Sequence, residues 1–294
     1  MKQFLDYAVS RQLKAATLAD LDNALFDYIF QEFSSPGRDG KGHANKVLSA
    51  VKFYLPEVRG HLHFAHRAMS GWDRLRPSQQ ITPCPHDVAL RIAYFLRCEE
   101  RYAMSLAVLL SFDCHLRVSE CLRLKRSDVV FMPPPSQRVI LVLGRCKGGT
   151  NQSVEVRFSL VRELLLRQWD PLPPSGKLFA FNADSFRKEI HAVFNTHIAS
   201  PDSTWKITPH SLRHGGATRD FVLKRLSLPD LKDRSRWKNE DTLYNYIQVA
   251  KMHMVRVQVK DSVKPALQKL NCNPGTFFNV SYAGVGWDSL MIES

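Results

Sequence analysis

Residues 208–218 read TPHSLRHGGAT, and residues 237–247 read WKNEDTLYNYI. In the first segment, threonine followed by proline predicts a helix that begins at Pro209 and has Thr208 as its N-cap. The second segment is polar and contains two tyrosines, so it can present a phenol oxygen to a cleft. These two segments decide how the fold and the chemistry of the chain are interpreted.

The first segment places three side chains with phosphate-binding chemistry at helical spacing. His210, Arg213 and His214 occupy positions i, i+3 and i+4, which share one face of a helix. Arginine and histidine at a helix N-terminus are well suited to hold a phosphate. Tyr246, in the second segment, supplies a nucleophile. Together the segments predict phosphoryl transfer through a covalent tyrosine intermediate.

The order of these residues resembles the C-terminal signature of the tyrosine recombinases, the phage-integrase family. The signature consists of His210-x-x-Arg213, followed by Trp237 and, nine residues later, Tyr246. It extends over about residues 83–260 and is closer to recombinases of eukaryotic mobile elements (Crypton- or DIRS-like) than to bacterial resolution enzymes. The resemblance implies double-stranded DNA as the partner, a homo-oligomer (a tetramer on two DNA sites), and no need for a metal or another cofactor.

Residues 116–120 read LRVSE and resemble the first active-site box of the same family. The resemblance implies that Arg117 and Arg213 clamp one phosphate, each through two hydrogen bonds, and that Glu120 orients groups in the site. Taken alone, an arginine and a glutamate three residues apart also fit an exposed ion pair, worth roughly a few tenths of a kcal/mol. The order of the boxes along the chain favours the active-site interpretation.

Lys147 precedes Gly148-Gly149 at the predicted turn of a β-hairpin. The resemblance implies that this lysine is the general acid that protonates the departing 5′-oxygen of DNA. The neighbouring Arg145 offers a second cation, but the position directly before the glycines matches the pattern of the family. The alternative is an ordinary basic turn that contacts a backbone phosphate.

The two histidines receive different roles from the resemblance. His210 accepts or relays the tyrosine proton, which suits an imidazole that titrates near neutrality, and His214 supports the helix. The pair also forms an HxxxH pattern that is found in metal sites. That alternative ranks lower, because Arg213 between the histidines would repel a cation and the motif has neither a glutamate nor an evident third ligand.

Trp237 stands where many members of the family have histidine. Its indole N–H can donate one hydrogen bond to a phosphate oxygen but cannot carry a proton to and fro, and packing in the core is an alternative compatible with that role. Tyr246 is the predicted nucleophile, and Tyr244 is its competitor on the same segment. The nine-residue separation from Trp237 favours Tyr246.

The composition favours a nucleic-acid partner. The 294 residues include 41 Lys and Arg against 28 Asp and Glu, a net charge of +13 and a pI of about 9.6. A balance this basic suits a polyanion. The 6 cysteines form no CxxC pair, so neither a zinc site nor a thioredoxin-like motif is indicated. No apolar run is long enough to span a bilayer, so we expect a soluble intracellular protein, nuclear if the host is eukaryotic.

Hydrophobic periodicity predicts a mainly α fold with a small antiparallel β-sheet. Residues 1–80 read as helices, and the resemblance implies that they form a core-binding-like domain that clamps DNA. Residues 81–264 contain the sheet and the catalytic domain of a tyrosine recombinase. Residues 265–294 form a tail with many apolar side chains, which needs a groove either in this molecule or in a neighbouring subunit on which the tail would dock.

The predicted activity is the cutting and rejoining of DNA strands through a 3′-phosphotyrosine intermediate, as in site-specific recombination or DNA integration. Two alternatives stay open at this stage. One is a catalytically silent remnant of a mobile element that binds DNA without cutting it. The other is an enzyme similar to the type IB topoisomerases.

Overall fold

The computed structural model describes residues 2–13, 16–35, 40–77, 81–133, 136, 138–146, 149–239, 243–244, 247–248, 251–254 and 258–278. The chain divides into two compact units, Met1–Gln80 and Ile81–Ser294. Among the described residues, no helix combines the length and the apolar character needed to cross a membrane.

The first unit is a small helical domain with its own apolar core. Thr17 and Asp20 form the N-terminal cap of α2 through a reciprocal capping box. The buried Asp22 accepts hydrogen bonds from the first backbone N–H groups of α4, which ties α4 to α2. The helices are α1 (Lys2–Ser10), α2 (Leu18–Ser34), α3 (Gly40–Tyr54) and α4 (His63–Leu75), with a short 3₁₀ helix at Pro56–Val58.

The second unit is built around α6, which is apolar on all sides and buried over most of its length. Its described helices are α5 (His86–Cys98), α6 (Tyr102–Asp113), α7 (Val118–Cys121), α8 (Ser159–Trp169), α9 (Ala183–Val193), α10 (Pro209–Val222), α11 (Leu228–Ser235), α12 (Lys264–Cys272) and α13 (Pro274–Phe277). A π-helical turn at Phe194–Ile198 continues α9.

A three-stranded antiparallel sheet completes the second unit, with strand order β1 (Val129–Phe131), β2 (Val139–Cys146), β3 (Gly149–Val156). In the hairpin, Val139 pairs with Val156 and Leu141 pairs with Val154, and Leu141 also pairs with Val129 of β1. The mainly α fold with a small antiparallel sheet is therefore confirmed. The short strand β1 was not predicted.

Helix α10 lies very close both to α6 and to the segment that precedes α5, and two glycines make these contacts sterically allowed. A Cβ atom on Gly216 would lie 1.9 Å from the carbonyl oxygen of Phe112, and one on Gly215 would lie 1.9 Å from that of Cys84. Any larger residue would push α10 away from the core. This contact sets the position of the helix that carries His210, Arg213 and His214. The predicted cap of α10 is confirmed, because the Thr208 side chain accepts a hydrogen bond from Ser211 N–H and Pro209 is the first helical residue.

Residues 265–278 belong to the core of the second unit, which corrects the tail predicted from residue 265. Leu267, Leu270 and Phe278 are buried in the same cluster as α5 and α6. The Tyr94 ring packs edge-on against Phe277. The apolar side chains of this stretch thus find their groove within their own chain. Docking on a neighbour stays a prediction for residues 279–294, which lie outside the described residues.

Candidate active site

Arg117 and Glu120 form a closed pair at the N-terminus of α7. Arg117 is the N-cap, and its backbone N–H donates to Glu120 Oε2 at 2.8 Å while its Nη1 donates to Oε1 at 2.5 Å. The Glu120 side chain is only 2% exposed, against 21% for Arg117. The alternative of an exposed ion pair is therefore wrong. The guanidinium reaches solvent, and the carboxylate that holds it is buried.

Arg213 projects from α10 toward the same carboxylate and is fully buried. Its terminal nitrogens donate to the carbonyl oxygens of His115 and Ser235, and Nη1 lies 3.7 Å from Glu120 Oε2. The guanidinium carbon is 5.1 Å from the centre of the Trp237 ring. The two predicted phosphate clamps, Arg213 and Arg117, thus share one acid, although they come from distant parts of the chain.

Arg236 is a third guanidinium at this carboxylate, and the sequence analysis missed it. Its side chain is 1% exposed, and its Nη2 donates to Glu120 Oε2 at 3.0 Å and to the His115 carbonyl at 2.9 Å. Its Nη1 donates to the Arg234 carbonyl at 2.7 Å. The only sequence signal was the pair Arg234 and Arg236 shortly before Trp237, which matches no motif.

The three guanidinium groups determine the charge of the site. Burial raises the pKa of Glu120, but Arg236, the hydrogen bonds from Arg117 and then Arg213 lower it, and the net result is a pKa below the ordinary carboxyl value. Glu120 is therefore ionised at neutral pH. One carboxylate among three permanent cations leaves an excess of positive charge, which an anionic phosphate can neutralise.

His210 lies at the N-terminus of α10, within electrostatic reach of Arg117 and Arg213, and is half-buried. Burial first, and then the charges of these two arginines, lower the pKa of His210 to about 4. In the protein without bound anion the ring is therefore neutral at physiological pH and can accept a proton, and the expected titration near neutrality is corrected. The His214 ring packs edge-on against it with centroids 5.0 Å apart.

A second buried network of hydrogen bonds and ion pairs lies next to the site and was not predicted from the sequence. His115 Nδ1 lies 2.7 Å from the Ser235 hydroxyl, and its Nε2 lies 3.5 Å from Asp220 Oδ2. Arg234 bridges Asp113, at 3.2 Å, and Asp220, at 3.6 Å. Burial, reinforced by the nearby arginines, holds the pKa of His115 well below its usual value, so the ring is neutral. These contacts join α6, α10 and α11.

Trp237 is buried in a small apolar cluster with Ala217, Leu231 and Leu243, so it does pack in the core as well as contacting Arg213. Ile247 packs against the same cluster. Leu243 and Ile247 are therefore held in the cluster that also contains Ala217 of α10. The Tyr244 side chain is 55% exposed.

Two predicted site residues, Lys147 and Tyr246, lie outside the described residues. Within the described part of the chain, the structure brings Arg117, Glu120 and Arg213 together and places His210 beside them. In the same part, no group of three or more His, Cys, Asp or Glu side chains has an arrangement that could hold a metal ion.

Solved structures with the same fold are tyrosine recombinases and integrases. The transposon Tn1549 integrase in complex with transposon right end DNA superposes with a TM-score of 0.57 at 12% identity, over 87% of this chain and 92% of the integrase chain. The same integrase in complex with circular intermediate DNA gives 0.56 at 15% identity, over 83% and 85%. The XerH site-specific recombinase bound to palindromic difH substrate, in a post-cleavage complex, gives 0.50 at 16% identity, over 82% and 78%.

No protein-family model matches the sequence. None of the curated proteins matches it either. The likeness to the solved structures therefore establishes a shared fold, that of the tyrosine recombinases.

Proposed function

We propose that the chain is a DNA strand transferase that cuts and rejoins DNA by the chemistry of the tyrosine recombinases. The observation that carries the proposal is the convergence of Arg117 and Arg213 on Glu120, with neutral His210 beside them. This arrangement joins an excess of positive charge to a proton acceptor. It occurs on a fold whose solved examples include the Tn1549 integrase and XerH, both in complexes with DNA.

In the proposed first step, the Tyr246 phenol oxygen attacks a phosphorus atom of the DNA backbone. A bond forms between phosphorus and the phenol oxygen, and the bond from phosphorus to the 5′-oxygen of the next nucleotide breaks. The phenol proton passes to His210, which is able to accept it because its imidazole is neutral. Lys147 protonates the departing 5′-oxygen, so the products are a 3′-phosphotyrosine and a 5′-hydroxyl.

The arginines stabilise the charge that develops on the non-bridging oxygens of the phosphate. Arg117 is the partly exposed guanidinium and is suited to contact the phosphate directly. Arg213 is fully buried, so its positive charge is only weakly screened by solvent. In the second step a 5′-hydroxyl from another strand attacks the phosphotyrosine, which restores the tyrosine and rejoins the DNA.

The remaining features of the proposal concern partners and location. The net charge of +13 supports double-stranded DNA as the partner. Residues 1–80 are proposed to grip the duplex, and the active assembly is proposed to be a homo-oligomer, a tetramer on two DNA sites. The protein would act inside the cell, in the nucleus if the host is eukaryotic, and its origin in a eukaryotic mobile element is part of the proposal.

A set of nicked suicide duplexes of varied sequence tests the proposal. When the enzyme cleaves just upstream of a nick, a short oligonucleotide with a 5′-hydroxyl diffuses away. The covalent complex is then trapped, because the hydroxyl needed to rejoin the strand has been lost. We expect an adduct that survives denaturation and retains a label placed at the 5′ end of the cleaved strand, which marks attachment through a 3′-phosphate. Tyr246→Phe should bind DNA without forming the adduct, whereas the matched control Tyr244→Phe should form it.

Each other outcome selects a different function. Binding without any adduct would indicate a DNA-binding remnant. Adduct formation together with processive relaxation of supercoiled plasmid by a monomer would indicate a type IB topoisomerase. An adduct that persists in Tyr246→Phe and vanishes in Tyr244→Phe would move the nucleophile to Tyr244.

A further inference from the structure

Arg236 occupies a backbone conformation that is costly for a residue with a side chain. It follows α11 directly, with φ 58° and ψ 43°, in the left-handed region that glycine adopts most easily. Such positions are strained when the residue is not glycine, and they persist only where the surrounding contacts hold them. The side chain that accompanies this strain is buried, so its contacts offer an explanation for the arginine.

The guanidinium of Arg236 links two segments that are far apart in sequence. Three of its contacts reach the segment of the first active-site box: the carbonyls of Cys114 and His115 and the carboxylate of Glu120. Its backbone belongs to the turn that leads into Trp237. The His115 carbonyl also accepts a hydrogen bond from Arg213, so one oxygen fixes two guanidinium groups relative to each other.

The neighbouring Arg234 shows what a supporting arginine looks like in this molecule. It pairs with two buried aspartates, Asp113 and Asp220, and neither of them has a contact with Glu120 in the described structure. Arg236 instead has Glu120 as its acidic partner. The two arginines are two residues apart, yet only Arg236 is directed at the acid that holds Arg117.

We propose that Arg236 is a positioning residue for strand transfer, which holds the Glu120 carboxylate in the orientation that fixes Arg117 and Arg213 for the phosphate. The inference rests on the proposed function. Because Glu120 Oε2 accepts from both the Arg117 backbone and Arg236, removing the guanidinium lets the carboxylate turn away from Arg117. The turn that carries Trp237 loses its contacts to the first box at the same time.

The electrostatic contribution of Arg236 supports this role. Among the single interactions that lower the pKa of Glu120 against the effect of burial, the charge of Arg236 is the largest, ahead of each of the two hydrogen bonds from Arg117. In the described part of the chain, Arg117, Arg213 and the thiols of Cys121 and Cys146 are also within electrostatic reach of Glu120. Without Arg236, the carboxylate is expected to take up a proton more easily, which weakens its hold on Arg117.

The test compares Arg236→Gly and Arg236→Lys with wild type on a suicide duplex that wild type cleaves. Glycine suits the left-handed backbone, so Arg236→Gly removes the side chain without adding strain. Lys224→Gly is the matched control, because Lys224 is exposed and also left-handed, with φ 49°. At saturating DNA we expect Arg236→Gly to form adduct about 10–100-fold more slowly, by loss of alignment, with DNA affinity within about threefold of wild type. Arg236→Lys should recover part of the rate, and Lys224→Gly should match wild type.

A double-mutant cycle with Glu120→Gln separates positioning from general support of the fold. If Arg236 acts through Glu120, adding Arg236→Gly to Glu120→Gln should slow adduct formation by no more than about threefold. Fully multiplicative losses, or a wild-type rate in Arg236→Gly, would overturn the inference. If Arg236→Gly does not fold, the same cycle is run with Arg236→Lys.

A measurement on the protein without DNA keeps the inference separate from the proposed function. The Glu120 carboxyl is titrated by NMR in protein with ¹³C-labelled glutamate, and Glu120→Gln identifies its signal. We expect a higher pKa in Arg236→Gly than in wild type and Lys224→Gly; an unchanged pKa would overturn the inference. A wild-type protein that forms no adduct on any duplex would refute strand transfer, while this titration would still decide whether Arg236 controls Glu120.

Discussion

Replacing Gly216 by alanine tests the contact that positions the active-site helix. The new Cβ would lie 1.9 Å from the Phe112 carbonyl oxygen, where real Cβ atoms essentially never come closer than 3.0 Å. The separation must therefore grow by about 1.1 Å, and the obstacle is backbone, which cannot rotate away. Overpacking of this kind costs about 1–3 kcal/mol or more, against a gain of at most about 1 kcal/mol from the helix propensity of alanine.

We expect Gly216→Ala to lower the free energy of unfolding of the second unit by about 2 kcal/mol, because so short a contact with backbone puts the overpacking cost at the upper end of its range and the helix-propensity gain offsets about 1 kcal/mol of it. A shift of α10 by about 1 Å would also move Arg213 and His210 relative to Glu120. Displacements of that size can cost about 100-fold in rate, so adduct formation at saturating DNA should fall by a similar factor.

Gly71→Ala is the matched control, because Gly71 lies in α4 and a Cβ there would meet nothing within 4 Å. It should stabilise its helix by about 0.5–1 kcal/mol. The two glycines lie in different units, so unfolding is followed by hydrogen exchange in α10 and in α4 separately. Equal stabilisation by both substitutions, with normal adduct formation in Gly216→Ala, would refute the reasoning.

Three further substitutions test other parts of the structure. Asp22→Ala removes the acceptor for the first N–H groups of α4 and should cost about 1–2 kcal/mol in urea unfolding; an unchanged midpoint would contradict the cap. Arg234→Met leaves Asp113 and Asp220 buried without their bridging cation and should cost about 3–5 kcal/mol by the same measurement. A cost as small as that of substituting an exposed arginine would contradict the buried bridge. Since burial, Arg213 and Arg117 lower the pKa of His210 to about 4, its contribution to stability is complete above pH 6.5 and is lost as the pH falls toward 4. His210→Gln should therefore flatten this part of the stability profile, and an identical profile would contradict the burial of a neutral ring.

The sequence predicted the local features of the site well, because those features depend on residues that are close in the chain. The cap at Thr208 and the hairpin between β2 and β3 follow from residue type and spacing alone. Strand β1 was not predicted, because its three residues are too few to show an alternating pattern. The packing of α12 against the core was not predicted, because an apolar helix face does not indicate which groove will bury it.

The electrostatic organisation of the site could not be read from the sequence. His115, Arg213 and Ser235 are distant in the chain, and only tertiary packing brings the carbonyls of two of them to the guanidinium of the third. The sequence likewise gave no sign that Arg236 would adopt a left-handed conformation usually reserved for glycine. The low pKa of His210 depends on how deeply α10 is buried, which periodicity does not reveal.

The most direct test of the account identifies the amino acid that becomes attached to DNA. Wild-type adduct from a suicide duplex is digested with nuclease and trypsin, and the peptide that retains a nucleotide is sequenced by mass spectrometry. The account predicts one modified peptide, with the nucleotide joined through its 3′-phosphate to the oxygen of Tyr246. A nucleotide on Tyr244 or on any other side chain, or one attached through a 5′-phosphate, would contradict it.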